Sequence, residues 1–229
     1  IFGIPGQQVE DLKQDFRTAA ANGATQISTY PFIDFSYADN RRKPQDKSGK
    51  RRLLGALVEV SEETGFQRTS VWTFARKGTP KYSSITRDNY IGFGPSASTL
   101  LARLFKINTF SVPEYIESIH TRGSATALTL RFNERRRAVY WLFWSAYNLF
   151  FSERDFYDLF GRTLESMFGL ELTVARLSGL TQRVEGGHRL TTRGAYVFHL
   201  LEQHHTHQYI DKTWRVSQET PWPKQITLY

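Results

Sequence analysis

Residues 1–74 most constrain this fold, because short β-rich runs alternate there with runs of helical period. Residues 1–4 read as the end of a buried strand, broken by Pro5, Gly6 and Gln7. Val9, Leu12, Phe16 and Ala20 then recur at helical spacing, and Asn22 and Gly23 make a stop. Residues 26–30 read as a second strand, followed by Pro31. Residues 34–48 are polar and carry Arg41, Arg42 and Lys43, as a solvated loop does. In residues 50–63, Leu53, Leu54, Leu57 and Val58 share one helical face, and Gly65 ends it. Residues 69–74 read as a third strand. Strand-helix-strand repeats with connections of helical length predict an α/β fold with a parallel sheet, doubly wound or part of a barrel. Ligands of such folds bind at the carboxyl ends of the strands. Here those ends are residues 5–7, 30–33 and 74–77.

Residues 82–98, YSSITRDNYIGFGPSAS, follow the last of these ends. Arg87 and Asp88 are adjacent, and Gly92 and Gly94 flank Phe93. Two glycines in three positions suit a backbone that approaches something closely or adopts positive φ. The alternative is an ordinary loop entering a helix near Ser98.

Beyond it the pattern is helical. One helix is expected from Ser111, with Pro113 and Glu114 in its first turn. A basic hinge spans residues 131–137. One helix follows along Val139, Leu142, Phe143, Ala146 and Phe150, and another from Phe156 to Phe168, ended by Gly169. A shorter helix is expected over residues 171–177. Residues 180–191 read as a hairpin about Glu185-Gly186-Gly187. Thr191 or Thr192 caps a last helix over residues 193–205. Helices, a hairpin and a helix predict a winged-helix-like domain. Residues 209–229 are too aromatic for a disordered tail and are expected to pack on the body.

Composition narrows the chemistry. The 229 residues include 30 Lys and Arg against 22 Asp and Glu, a net charge of +8 that favours anionic partners. There is no cysteine, hence no disulfide, thiolate metal site or cysteine-held iron–sulfur cluster. The longest apolar run, residues 138–144, falls far short of the roughly 20 residues a membrane helix needs. With Ile1 at the start and no signal segment, the chain reads as part of a longer protein.

Five blocks resemble one family in order. GIPGQ at residues 3–7, QISTYPF at 26–32, FARK at 74–77, GFGPSAS at 92–98, and the C-terminal Phe160-Gly161, Gly179-Leu180 and LTTRG at 190–194 are similar to coproporphyrinogen-oxidase-like radical S-adenosyl-L-methionine (SAM) proteins. KGTPKYSSITRDNYIGFGPSA and HQYIDKTW most resemble the heme-utilisation branch (ChuW/HutW-like). That resemblance implies the C-terminal half of a partial (β/α)6 TIM-like barrel over residues 1–132. An α-rich winged-helix-like domain over 133–208 and an aromatic tail over 209–229 complete it. It implies anaerobic heme breakdown: methyl transfer to the porphyrin, ring opening to a linear tetrapyrrole and iron release. Other branches carry out oxygen-independent coproporphyrinogen III oxidation or act as heme chaperones. Implied cofactors are SAM and a [4Fe–4S] cluster, with an electron donor such as flavodoxin or reduced flavin, in the cytoplasm. The three cluster cysteines and the glycine-rich SAM motif of the family are absent here. Their ligands would lie upstream, and this chain alone would not cleave SAM reductively.

By the resemblance, Ile1, Gly3, Pro5, Gly6 and Ile33 fall at SAM-binding positions, and Ser98 at a second SAM or the substrate region. For Ile1 and Ile33 the alternative is core packing; for Ser98 it is a helix N-cap. Arg87 and Asp88 would hold a porphyrin propionate, since a guanidinium suits a carboxylate bidentately; a surface ion pair is the alternative. Arg76, at a strand end, and the hydroxyls of Tyr82, Ser83 and Ser84 would line the same pocket. A solvated loop charge is the alternative for Arg76. His199, His204, His205 and His207 suit a metal or heme ligand, or a polar helix end. Residues 50–52 read as a solvated helix start. In a competing class, the winged-helix-like part would bind nucleic acid, but the apolar face of the last helix argues against it.

Overall fold

The computed structural model describes residues 1–38, 40–80 and 87–226. The chain divides into two compact units, Ile1–Ser83 and Ser84–Tyr229.

In the first unit, helix α1 (Val9–Ala21) buries Leu12, Phe16 and Ala20. Helix α2 (Lys47–Glu63) starts at Asp46, whose side chain accepts from Gly49 N, and buries Leu53, Leu54, Leu57 and Val60. Phe16 meets the rings of Phe66 and Phe74 edge-on, with centroids 5.3 and 5.7 Å away. Strands β1 (Gln26–Ser28), β2 (Phe66–Arg68) and β3 (Thr73–Arg76) form a sheet of order β1-β3-β2.

Every pairing in this sheet is antiparallel, which corrects the expected parallel set. The reason lies in residues 69–72. Four residues cannot make a crossover of a dozen or more, so β2 and β3 close as a hairpin. Thr69 N and Ser70 N both donate to Thr73 O inside it. The expected strand over residues 69–74 is therefore a turn followed by β3. Strands β1 and β2, joined through α2, run the same way with β3 between them. Parallel pairing occurs at the Phe2–Pro31 bridge, where Phe2 N donates to Tyr30 O and Phe32 N to Phe2 O.

The second unit opens with an antiparallel sheet, β4 (Ser98–Leu101), β5 (Leu104–Asn108) and β6 (Thr126–Arg131), where only helices were expected. Helix α3 (Val112–Arg122) lies between β5 and β6; Ser111 caps it and Gly123 ends it at positive φ. Helix α4 (Glu134–Tyr147) is capped by Asn133, so the expected basic hinge includes its first turn. Strand β7 (Phe150–Ser152), helix α5 (Glu153–Phe160), helix α6 (Leu164–Leu177), and strands β8 (Thr181–Val184) and β9 (Gly187–Leu190) follow, with sheet order β7-β9-β8. The expected helix through Gly169 instead breaks at Gly161, which has φ 63° and ends α5. Helix α7 (Thr192–His205) is capped by Thr191 and runs through a π turn (Thr206–Ile210) into α8 (Asp211–Glu219). Trp141, Phe156 and Leu164 are fully buried. At about 1.5–3 kcal/mol each, such side chains anchor this core.

Candidate cofactor and substrate residues

The Ile1–Gln7 turn is held largely by its own residues. Gly3 N donates to Gln7 Oε1 at 2.8 Å, and Gln7 Nε2 donates to Ile1 O at 3.3 Å. Gly3 O accepts from Gln45 N, and Gln7 O from Gln45 Nε2. Gly3 has φ 83°, and a Cβ there would stand 2.9 Å from Lys50 Cγ. Gly6 has φ 80° and would meet nothing within 4 Å. Ile1 is 72% exposed, so the packing alternative does not describe it. Pro5 and Ile33 are half-buried. The Phe2–Pro31 bridge brings the Ile1–Gly3 backbone beside residues 30–32.

For a nucleoside this edge offers an exposed apolar side chain and open space at Gly6. The amide of Gly3 is already taken by Gln7. For an iron–sulfur cluster the residues do not fit, since the chain carries no thiolate.

Lys50 departs from the expectation of a solvated helix start. It is 7% exposed, and its Nζ donates to Phe32 O at 2.7 Å. Burial lowers its pKa, and Asp34 opposes the shift. Arg51 and Arg52 are exposed, as expected.

Arg76 ends β3 over the ring of Phe66, 4.6 Å from its centroid. Its guanidinium donates to Ala20 O and Thr64 O, at the ends of α1 and α2. It thus caps two helices.

In the second unit, Ser98 begins β4 rather than capping a helix. Its Oγ lies 2.7 Å from Tyr90 OH. A Cβ on Gly92 would stand 2.0 Å from Ser98 O, while Gly94 has φ 100°. The two glycines therefore serve the two needs read from sequence, one each. Phe93, between them, is 86% exposed.

Arg87 faces inward. Nη1 donates to Ser145 Oγ at 3.0 Å, Nη2 to Asp155 Oδ2 at 2.6 Å, and the guanidinium lies 4.8 Å over Trp141. Asp88 is a distant partner at 3.7 Å and is exposed. Arg137, at the end of the expected basic hinge, is 3% exposed and donates to Arg87 O and Ala102 O. Its i,i+4 spacing to Trp141, and that of Trp141 to Ser145, puts it on the buried face of α4. Tyr82, Ser83 and Ser84 lie outside the described residues.

The histidines do not form one cluster. His199 is buried with Nε2 2.7 Å from Gln203 Nε2. His205 packs on Phe143 and Tyr209, and burial pushes its pKa down to about 4. Elsewhere Glu153, Glu165 and His188 have ligand atoms within 4.8 Å of one another. Arg183 Nη1 already sits 2.6 Å from both carboxylates, so their charge is met. Among the described residues, no helix is long and apolar enough to cross a membrane.

Known proteins provide a frame for these residues. No family model matches the chain. The heme chaperone HemW of Bacillus subtilis (strain 168) is 23% identical over 207 residues, covering 85% of this chain and 54% of that protein. The solved structure described as "Coproporphyrinogen III oxidase (HemN) from Escherichia coli is a Radical SAM enzyme" aligns with a TM-score of 0.68 and 14% identity, over 88% of this chain and 52% of that one. The chain thus spans about half the length of each. In sequence the chain is thus similar to that heme chaperone, and it shares its fold with that coproporphyrinogen III oxidase structure.

Proposed function

We propose that the chain is the substrate-side part of a radical SAM protein that acts on heme in anaerobic heme utilisation. The reaction is methyl transfer to the tetrapyrrole, with ring opening and iron release. In this reading residues 133–208 form a winged-helix-like domain, and the aromatic tail after them packs on the body. The cluster and its thiolates come from outside these 229 residues, so none of the chain's own groups performs the redox step. Its residues bind: Ile1, Gly3, Pro5, Gly6 and Ile33 line the adenosyl side, and Ser98 the substrate region. Asp88 keeps exposed charge for the polar groups of a porphyrin or its donor protein.

The observation that carries the reading is the ordered set of five sequence blocks, from GIPGQ to LTTRG, inside a fold that covers 88% of the chain. The heme-utilisation branch rests on residues 77–97 and 207–214, where the resemblance is densest. A heme chaperone is the second reading, favoured by the 23% identical relative. Oxygen-independent coproporphyrinogen oxidation is the third, favoured by the fold.

Hemin titration followed by absorbance tests the shared core of these readings. A saturable shift supports tetrapyrrole binding. Coproporphyrinogen III as competitor separates the branches: displacement of hemin favours oxidation. A salt-dependent DNA shift without any hemin shift would replace all three with a nucleic-acid module. The exposed face of α6 speaks against that, since it carries Leu170, Val174 and Leu177 rather than a basic row.

A further inference from the structure

We infer that Lys50 is a positioning residue for the adenosyl-side wall, a strut that fixes the Gly3 turn and the Pro31–Ile33 segment against each other. The inference rests on the reading that Ile1, Gly6 and Ile33 contact SAM, and names a residue that reading leaves out.

Three observations converge on Lys50. Its stem fills the notch at Gly3, where a Cβ would stand 2.9 Å from Cγ and 3.2 Å from Cε. Its ammonium reaches past that notch to the Phe32 carbonyl at 2.7 Å. Both contacts are made by a side chain that is 7% exposed, which no solvated lysine needs to be. Phe32 N is bonded to Phe2 O, so the strut and the bridge hold the same residue from both of its backbone groups. Gly3 is held in turn by Gln45 N on its carbonyl and by Gln7 on its amide.

Helix α2 therefore reaches the two segments that carry Ile1 and Ile33 through a single side chain. A buried ammonium is costly unless its hydrogen bonds fix something. An apolar residue of the same length would fill the notch without that cost. It would leave the Phe32 carbonyl, and the Ile33 that follows it, free to shift.

The absence of cysteine allows a clean test. Lys50→Met keeps the stem and removes the ammonium. Lys50→Cys, alkylated with bromoethylamine in denaturant and refolded, restores a side chain of lysine length with its ammonium. Two readouts are made on the 229-residue chain: amide exchange at Phe32 and Gln45, and affinity for S-adenosylhomocysteine, with Tm measured in parallel. We expect Lys50→Met to speed exchange at both amides and to weaken the ligand by about tenfold or more, the share of one charge-assisted hydrogen bond. Tm should stay close to wild type, and the aminoethylated chain should recover both readouts. Unchanged exchange in Lys50→Met overturns the inference whatever the ligand does. Faster exchange with unchanged affinity overturns its functional half. If wild type itself fails to bind S-adenosylhomocysteine while exchange responds as expected, the strut stands and the adenosyl reading falls.

Discussion

Arg87 Nη2 donates to Asp155 Oδ2 at 2.6 Å, across 68 residues of sequence. The pair ties the segment that enters β4 to the first turn of α5. Nη1 adds Ser145 on α4, and the face of the guanidinium covers Trp141, which is fully buried. A ligand carboxylate seeking Arg87 would have to displace Asp155.

That arrangement makes Arg87 a test of structure against binding. Arg87→Lys keeps the charge but loses the planar fork and the ring contact. We expect it to cost about 1–3 kcal/mol in denaturant unfolding. Asp155→Asn should cost less, because Asp155 is half-exposed and its charge is screened. In a double-mutant cycle the two should couple by about 1 kcal/mol. An Arg87→Lys chain of wild-type stability with weakened hemin binding would return Arg87 to the propionate role.

Gly92 gives a sharper steric prediction. An alanine Cβ would stand 2.0 Å from the Ser98 carbonyl, where real Cβ atoms do not go. The Tyr90–Leu100 bridge closes the same loop, so there is no cheap retreat. Gly92→Ala should destabilise the chain by about 2 kcal/mol or more. Gly94→Ala meets no atom within 4 Å and pays only for φ 100°, about 1–2 kcal/mol. Thermal unfolding of the two variants should rank them in that order.

Trp222 tests the C-terminal segment. Its Nε1 donates to Glu114 Oε2 at 2.9 Å, and Arg122 lies 4.6 Å over its ring, so it grips both ends of α3. Trp222→Phe keeps the ring contact and loses the hydrogen bond, for about 1 kcal/mol. Trp222→Ala loses both and should cost roughly 2–3 kcal/mol. Equal effects from the two would mean that the ring contact contributes nothing.

The helices of this chain were legible because apolar spacing and caps are local signals. Ser111 and Thr191 start their helices where the sequence says they should. The hairpin about Glu185–Gly186 was legible for the same reason. Strand direction was not. Residues 69–72 look β-rich, and only the shortness of the link to β3 reveals a hairpin instead of a crossover. The β4-β5-β6 sheet was missed because its strands lack apolar–polar alternation and, of their residues, only Leu100 is fully buried. At the candidate site, the two glycine roles at Gly92 and Gly94 were readable, since glycine spacing speaks directly of backbone. The fates of Arg87 and Lys50 were not, because burial of a long charged side chain depends on partners 18 to 68 residues away.

Helix α7 carries one buried and one half-buried group whose effects on stability oppose each other with pH. Glu202 is 4% exposed, its Oε2 has no hydrogen-bond partner, and burial pushes its pKa up to about 7. The folded chain holds that proton more tightly than the unfolded one, so a cost appears as pH rises from about 4.5 and is complete above about 7. His205, held neutral by burial and by His204, has its pKa pushed down to about 4. The unfolded chain binds that proton first, so a cost appears as pH falls from about 6.5 towards 4. Stability should therefore peak between these limbs, at about pH 5 to 6. Glu202→Gln removes only the upper limb: it should leave stability at pH 4 nearly unchanged and raise it at pH 8 by up to about 3 kcal/mol. His205→Phe removes only the lower limb. Denaturant unfolding of both variants across pH 4 to 9 reads the two limbs separately, and a Glu202→Gln curve parallel to wild type above pH 7 would show that this carboxyl finds a partner or water in the folded chain.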